Sequence, residues 1–516
     1  MRTKNSLKNI KYNVVFFIIN FILMFLLKRI FIIYLGDEIT GLNALFQNII
    51  GFLNIAELGI VNAVTYSLYK PLKEENYNKI NSILITYRYI YRLVALFIFV
   101  GSIILTLFIQ NFINGTSVNI SLIRIYFMLV SLITVISYLI TYIQVVIVAD
   151  QKGYVVSKTL GNFNILKILV QILAIKIYKS YILWILVELI FNFIAFECIN
   201  LKVRKEYKWI NLNNTKSLKM LFNENKSIFL NTKDLFFHKL GFFVLNQTDN
   251  LVISAFTTIK NVMLYSNYLM IINVVKGLLT QIFRAISASI GNLVAEKDDN
   301  KSYIIWREIH IIISLLSVVV CYCVYKMINL LIQLWIGQDY LLNYATIICI
   351  IINLYFSLTR QTIDVFKDAY GIFWDVWSPI LEAIINLIIS IYLVKKLGIM
   401  GVVIGTNISN FIIIAFWRPY ILFKEGFKSN LFKFYTINFK IAIITMLSLG
   451  ISNKFIDLIF CNFVSITWGI FIIKCFIALM ISFSLTVLIS LIFSEFRRTN
   501  LKYFKIVING ILKNNV

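Results

Sequence analysis

Lys276, Thr280 and Arg284 recur at every fourth position. On a helix this spacing puts an ammonium, a hydroxyl and a guanidinium along one face. Lys239, Asn246 and Asp249 follow one side of the preceding segment, Lys28, Arg29 and Glu57 stand near the start of the chain, and Arg360, Asp364 and Lys367 repeat the pattern further on. All of them lie in or at the ends of apolar runs. A charge in the middle of a membrane helix costs about 3 kcal/mol on insertion scales, so it faces water or a partner. Lysines and arginines around a water-filled cleft would hold an anionic headgroup, the guanidinium taking two phosphate oxygens at once. The competing reading is internal pairing, Glu57 with Lys28, Asp249 with Lys276 and Arg360 with Asp364. Pairing is preferred for the Arg360 set, whose cytoplasmic end is already wet. The cleft reading assigns substrate binding to Lys28, Arg29, Lys276 and Arg284. Glu57 and Asp249 also fit an ion-coupling role, in which a carboxylate takes up a proton or a sodium ion in one conformation and releases it in another. The sequence does not choose the ion.

The elements that must position these groups are membrane helices. Of the 516 residues 60% are apolar and only 14% charged, with a mean hydropathy of +0.84. A soluble chain of this length would carry nearer a quarter charged residues. A helix needs about 20 apolar residues to cross the hydrocarbon core, and such runs place spans near 12–34, 40–66, 84–112, 120–148, 155–176, 180–202, 228–255, 261–290, 304–336, 341–366, 377–396, 398–422, 435–458 and 464–494. The first, from Tyr12 to Tyr34, is too long for a signal-peptide core and is expected to remain as a span. The net charge of +25 collects on one set of loops: the N-terminal tail, 67–83, 203–227 and the C-terminal tail. By the positive-inside rule both termini face the cytoplasm of a bacterial cell, with no nucleic-acid role for the basic charge.

Segments 31–76 and 254–300 share a pattern, a helix end, a short turn and a long helix, closing in Glu74-Glu75-Asn76 and Asp298-Asp299-Asn300. The offset of six spans keeps their orientation. The expected architecture is all-α and polytopic. It comprises an N-terminal six-helix lobe (1–203), a basic cytoplasmic linker (204–227), a second six-helix lobe (228–424), two further transmembrane helices (435–494) and a basic cytoplasmic tail (495–516). The six cysteines are scattered in apolar segments without metal-ligand spacing, and Cys321 and Cys323, on different sides of one helix, read as packing residues. His238 and His310 read as packing or interfacial, and Trp184, Trp335 and Trp417 as an interfacial belt. There is no GxxxxGK[ST], HExxH or GxSxG pattern, so no ATPase, zinc hydrolase or serine hydrolase is indicated. The chain reads as a transporter, not an enzyme, with no metal and no cofactor beyond a coupling ion.

The run Gln247-Thr248-Asp249-Asn250-Leu251-Val252-Ile253-Ser254 followed by Tyr265-Ser266-Asn267-Tyr268 resembles the start of the second lobe in Wzx-type polysaccharide-biosynthesis (O-antigen) flippases of the multidrug/oligosaccharidyl-lipid/polysaccharide exporter superfamily. Tyr34-Leu35-Gly36 with Gly41-Leu42-Asn43, Ala56-Glu57-Leu58-Gly59-Ile60, Leu334-Trp335-Ile336-Gly337, Glu382 with Asn386, and Gly398 to Thr406 resemble other blocks of that family, up to about residue 430. The resemblance implies a MATE-like V-shaped pair of six-helix lobes around a central cavity. It implies a polyprenyl-pyrophosphate-linked oligosaccharide as substrate, moved by alternating access among membrane lipids, with the polysaccharide polymerase and glycosyltransferases as partners. By position, the family's cationic cavity residues fall on Lys28, Arg29, Lys276 and Arg284. A peptidoglycan-precursor flippase and a drug exporter are the alternatives within the superfamily, the exporter disfavoured by the basic interior. A membrane polysaccharide polymerase or ligase is the alternative of another class, disfavoured by the short outer loops. The last two helices are unassigned, a groove for the lipid tail being one use for them.

Overall fold

The computed structural model describes every residue except 1, 58, 214–217, 227, 229–247, 373, 376, 461–466 and 514–516, and no strand occurs among those described. The helices are α1 (Arg2–Leu53), α2 (Ile60–Lys73), α3 (Tyr77–Phe108), α4 (Ile120–Thr141), α5 (Val145–Ala149), α6 (Gly153–Tyr178), α7 (Tyr181–Glu206), α8 (Leu218–Glu224), α9 (248–256), α10 (Ile259–Ala295), α11 (Asp299–Trp335), α12 (Tyr344–Ala369), α13 (Trp377–Leu397), α14 (Ile399–Ile412), α15 (Arg418–Ile421), α16 (Phe432–Phe460), α17 (Trp468–Ser490) and α18 (Ser494–Lys513). Among the described residues twelve helical stretches are long and apolar enough to cross a membrane. Fourteen spans were expected. The first of the twelve, Ile18–Glu57, runs through a break at Gly36 (φ 83°, ψ 175°) and so contains parts of two expected spans. The expected seventh span falls mostly outside the described residues.

The chain forms two compact units, Met1–Met263 and Leu264–Val516. In both, polar residues cap the helices: Asn76, Asn119 and Ser180 in the first and Asp298, Asn343 and Thr467 in the second accept from a backbone N–H two or three residues on. Left-handed residues mark the connections and recur between the units. Glu75 (φ 53°) and Lys297 (φ 57°) stand 222 positions apart, each directly before a capping residue, and Gly115 and Gly337 are also 222 apart. Gln151 pairs with Gly371, and Lys179 with Gly398, at nearly the same offset. The repeat seen in 31–76 and 254–300 therefore has a local conformational counterpart.

In the first unit the expected second span is interrupted. A short 3₁₀ turn, Asn54–Glu57, and the left-handed Gly59 (φ 91°) divide the end of α1 from α2. One core gathers Leu53, Val64, Leu84, Tyr91, Tyr138 and Val146, and a second gathers Phe31, Leu42, Phe46, Phe127, Trp184 and Ile259. Gly41 is fixed by this second core, because a Cβ there would lie 2.3 Å from the carbonyl oxygen of Ile259. The uncharged 113–119 loop ties the same end together. Thr116 Oγ1 and Ser117 N–H donate to Glu38 (2.7 and 2.8 Å), and the Asn114 carbonyl accepts from Ile259 N–H (3.1 Å).

In the second unit Trp306, Phe366, Phe423, Phe427, Phe434 and Phe496 form an aromatic core. Gly398 (φ 58°) turns α13 directly into α14, where Gly401 and Gly405 allow the two helices to touch through backbone. Beyond α14 the helix widens into two π-helical turns, Ile413–Trp417 and Leu422–Gly426, on either side of α15, which contains Pro419. The two helices left unassigned by sequence pack against α11. α17 meets it through small buried residues at every fourth position, Ala478, Ser482, Thr486 and Ser490. Cys321 approaches the Ile351 carbonyl on α12, and Cys323 approaches Ser482 on α17, so they do face different neighbours. Two members of the expected aromatic belt are core residues instead. Trp335 is 1% exposed and Trp184 7%, and Trp184 stacks on Tyr181 with Phe31 against its edge. Trp417, half-buried, stays in a cluster with the exposed Trp374 and Trp377.

Candidate functional site

In the first unit the turn at the end of α1 presents Glu57 to two tyrosines. Tyr91 Oη donates to Oε1 at 2.8 Å and Tyr138 Oη to Oε2 at 2.6 Å, with Asn54 Oδ1 3.3 Å from the same hydroxyl. Tyr91 lies edge-on to Tyr138 and against Tyr87, which orients both hydroxyls. No ion pair joins Glu57 to Lys28 among the described residues. The carboxylate is held by neutral donors alone, and it can exchange a proton or a small cation without breaking an ion pair. Lys28 is half-buried and Arg29 exposed, and among the described residues neither has a carboxylate within 4 Å. An intramembrane pair that the sequence reading passed over joins Lys167 on α6 to Glu188 on α7 at 3.3 Å. Its signal was present, since each charge interrupts an apolar run.

In the second unit the charges on α12 are neutralised. Arg360 donates to Glu382 on α13 (2.7 Å) and to Asp364 one turn on (3.3 Å), and the other Asp364 oxygen accepts from Arg418. Lys367 pairs with Asp375, whose second oxygen accepts from Ser378. Glu382 is 0% exposed. With Asn386 and Ser390 it forms a polar stripe on α13, continued by Asn386 Nδ2 to Thr406 Oγ1 (3.0 Å) and Ser390 Oγ to the Val402 carbonyl (3.1 Å). The Glu382 and Asn386 block thus sits at the α13–α14 contact, while Glu382 also anchors the Arg360 network. Lys276 and Thr280 share a face of α10 as the spacing required, and Gln361 donates to Thr280 (3.2 Å). Arg284 lies in the same helix, although its side chain is outside the described residues, as are Lys239, Asn246 and His238. Asp249 is buried in α9. His310 is buried, stacked on Trp306 and hydrogen-bonded to Thr362 (2.8 Å). No cluster of metal-ligating side chains occurs among the described residues.

The second unit also holds a groove of about 1140 Å³ between α11, α12, the end of α14 with the π-helical turn that follows, and α16. Tyr325, Ile348, Ile352, Phe356, Phe411, Phe416, Phe439, Met446 and Leu449 are among its walls. On α16 the lining runs from Phe432 to Leu449, about 26 Å at 1.5 Å per residue, close to the roughly 30 Å hydrocarbon thickness of a bilayer. His310, Asn438 and Lys440 are its few polar lining groups, and Lys440 is paired with Glu495 at 3.0 Å. Such a surface solvates a long hydrocarbon chain.

No family model and no curated protein matches the sequence. Solved structures do match the fold. A lipid II flippase MurJ in an inward closed conformation superposes with a TM-score of 0.70 at 16% identity, over 93% of this chain and 98% of that one. An inward-facing multidrug resistance MATE family transporter of the MOP superfamily gives 0.56 at 13% identity, over 77% and 92%. A point mutant of the Vibrio cholerae MATE transporter VcmN gives 0.54 at 14%, over 83% and 99%. The chain has the fold of these membrane transporters.

Proposed function

We propose that this chain is a flippase that moves a polyprenyl-pyrophosphate-linked oligosaccharide across the cytoplasmic membrane by alternating access, for synthesis of a cell-surface polysaccharide. The observation that carries the proposal is the apolar groove in the second unit, whose run of about 26 Å along α16 suits a long isoprenoid tail better than a compact drug. Lys28 and Arg29, free of carboxylates among the described residues, suit a pyrophosphate, and Lys276 and Arg284 complete the proposed cationic set. Glu57 and Asp249 are the proposed coupling groups for a proton or a sodium ion. Both termini are placed in the cytoplasm by the positive-inside rule, and a polymerase and glycosyltransferases would act on either side of the transport step.

The test is purified protein in vesicles carrying a fluorescent polyprenyl-pyrophosphate oligosaccharide, read by loss of fluorescence to an impermeant reductant. Protein-dependent exposure of the inner-leaflet lipid is expected. Lys28→Ala with Arg29→Ala should slow it by about tenfold, the loss of one charge-assisted contact, and Ala442→Trp should slow it by filling the groove. Equal exposure in protein-free vesicles would overturn the assignment. The fold likeness to a lipid II flippase favours one second reading, a peptidoglycan lipid precursor as the glycolipid. Competition between the two glycolipids in the same vesicles separates these readings.

A further inference from the structure

At the N-terminal end of α6 a second cavity, of about 310 Å³, lies outside everything assigned above. Tyr154, Lys158, Thr159 and Asn162 of α6 and Lys202 of α7 form its polar wall. Lys202 Nζ bridges the gap between the helices by donating to Thr159 Oγ1 at 2.8 Å. Lys158 Nζ sits 5.9 Å from the centre of the Tyr12 ring, which stacks on Tyr154 and so adds α1 to the site. Both lysines are exposed. Among the described residues neither forms an ion pair. The carboxylates at the adjoining helix ends, Asp150 and Glu206, are committed to Lys152 at 2.6 and 2.7 Å. Burial works against the Lys152 ammonium, yet these two bonds hold its pKa above the ordinary lysine value. The cavity therefore carries two positive charges with no counter-charge of its own among the described residues.

The faces that continue from it are apolar and exposed. On α6 Leu166, Leu169 and Leu173 follow Lys158 and Asn162 at helical spacing, and on α7 Ile190 and Ile194 approach Lys202 from the other direction. Two ammonium groups and two hydroxyls at one end of a bilayer-length apolar face match a phosphodiester with acyl chains below it. We infer that the α6–α7 cavity is a binding site for an anionic phospholipid, its phosphate held by Lys158 and Lys202 and its acyl chains laid along α6 and α7. The orientation proposed above makes this the cytoplasmic leaflet. The lipid is a structural companion of the first unit and is distinct from the transported glycolipid, so its binding is measured without transport.

Native mass spectrometry of the purified full chain, titrated with phosphatidylglycerol and separately with phosphatidylcholine, tests the inference. At least one phosphatidylglycerol should bind more tightly than any phosphatidylcholine. Its affinity should fall about fivefold in Lys158→Gln and about thirtyfold in the Lys158→Gln/Lys202→Gln pair, while Lys158→Arg keeps it. Lys158 holds no other element in place through an ion pair among the described residues, so its single variant reports on binding even where the double variant folds poorly. Unchanged phosphatidylglycerol affinity in Lys158→Gln, equal binding of phosphatidylcholine, or displacement of the lipid by millimolar inorganic phosphate would each overturn it.

Discussion

Replacing Gly401 by alanine probes the contact on which the buried polar stripe depends. A Cβ at this position would lie 2.4 Å from the carbonyl oxygen of Leu393, 2.5 Å from its carbonyl carbon and 2.8 Å from Val394 N, against an ordinary contact of 3.4–4 Å. All three obstructing atoms are backbone, so no rotamer change relieves them. The helices must part by about 1 Å, which as overpacking costs about 1–3 kcal/mol. The same shift stretches the Ser390 to Val402 and Asn386 to Thr406 hydrogen bonds, now 3.1 and 3.0 Å, beyond useful length, at about 1 kcal/mol each. Alanine returns about 0.5–1 kcal/mol in helix propensity, which leaves a net loss of about 2–4 kcal/mol. Gly450→Ala in α16 is the matched control, because nothing lies within 4 Å of its added carbon, and it should be neutral or stabilising by about 0.5 kcal/mol. The assay is the unfolding midpoint of purified protein in lipid nanodiscs, followed by tryptophan fluorescence. A Gly401→Ala midpoint equal to the parent's, or a Gly450→Ala loss as large as that of Gly401→Ala, would refute the reasoning.

Arg360→Met should destabilise by about 3–5 kcal/mol in the same assay, because it leaves the fully buried Glu382 without its cation, and Arg360→Met with Glu382→Met should recover most of the loss. Tyr138→Phe removes the 2.6 Å donor from Glu57 and should cost about 1–3 kcal/mol, while the same change at exposed Tyr66 should cost nothing measurable.

The all-α architecture was legible because apolar length is a local property that each span carries by itself. The connections were legible for a similar reason: Glu74-Glu75-Asn76 and Asp298-Asp299-Asn300 keep acidic and capping residues beside a left-handed position in both units. The partners of the buried charges were not. Glu57 finds its donors 34 and 81 positions away, and nothing local distinguishes Tyr91 or Tyr138 from the other tyrosines. Trp335 was misplaced for a related reason. It stands at a helix end, where an interfacial ring is expected, but the surrounding helices enclose it. The block around Gly41 could be recognised as a pattern, yet its cause, the Ile259 carbonyl, lies more than two hundred residues downstream.

The Arg360 network also bears on how the chain enters the bilayer during synthesis. α12 reaches the insertion machinery carrying an arginine and an aspartate that cost about 2.5–3.5 kcal/mol each near a helix centre. Its own turn offers only the Arg360–Asp364 contact, and the other two partners, Glu382 and Arg418, have not yet been made. The ribosome must deliver α13, the Gly398 turn, α14 and α15 before the four charges balance. α12 is therefore a conditional span, completed by the sequence that follows it, and a nascent chain ending before Arg418 would hold it in the membrane only weakly.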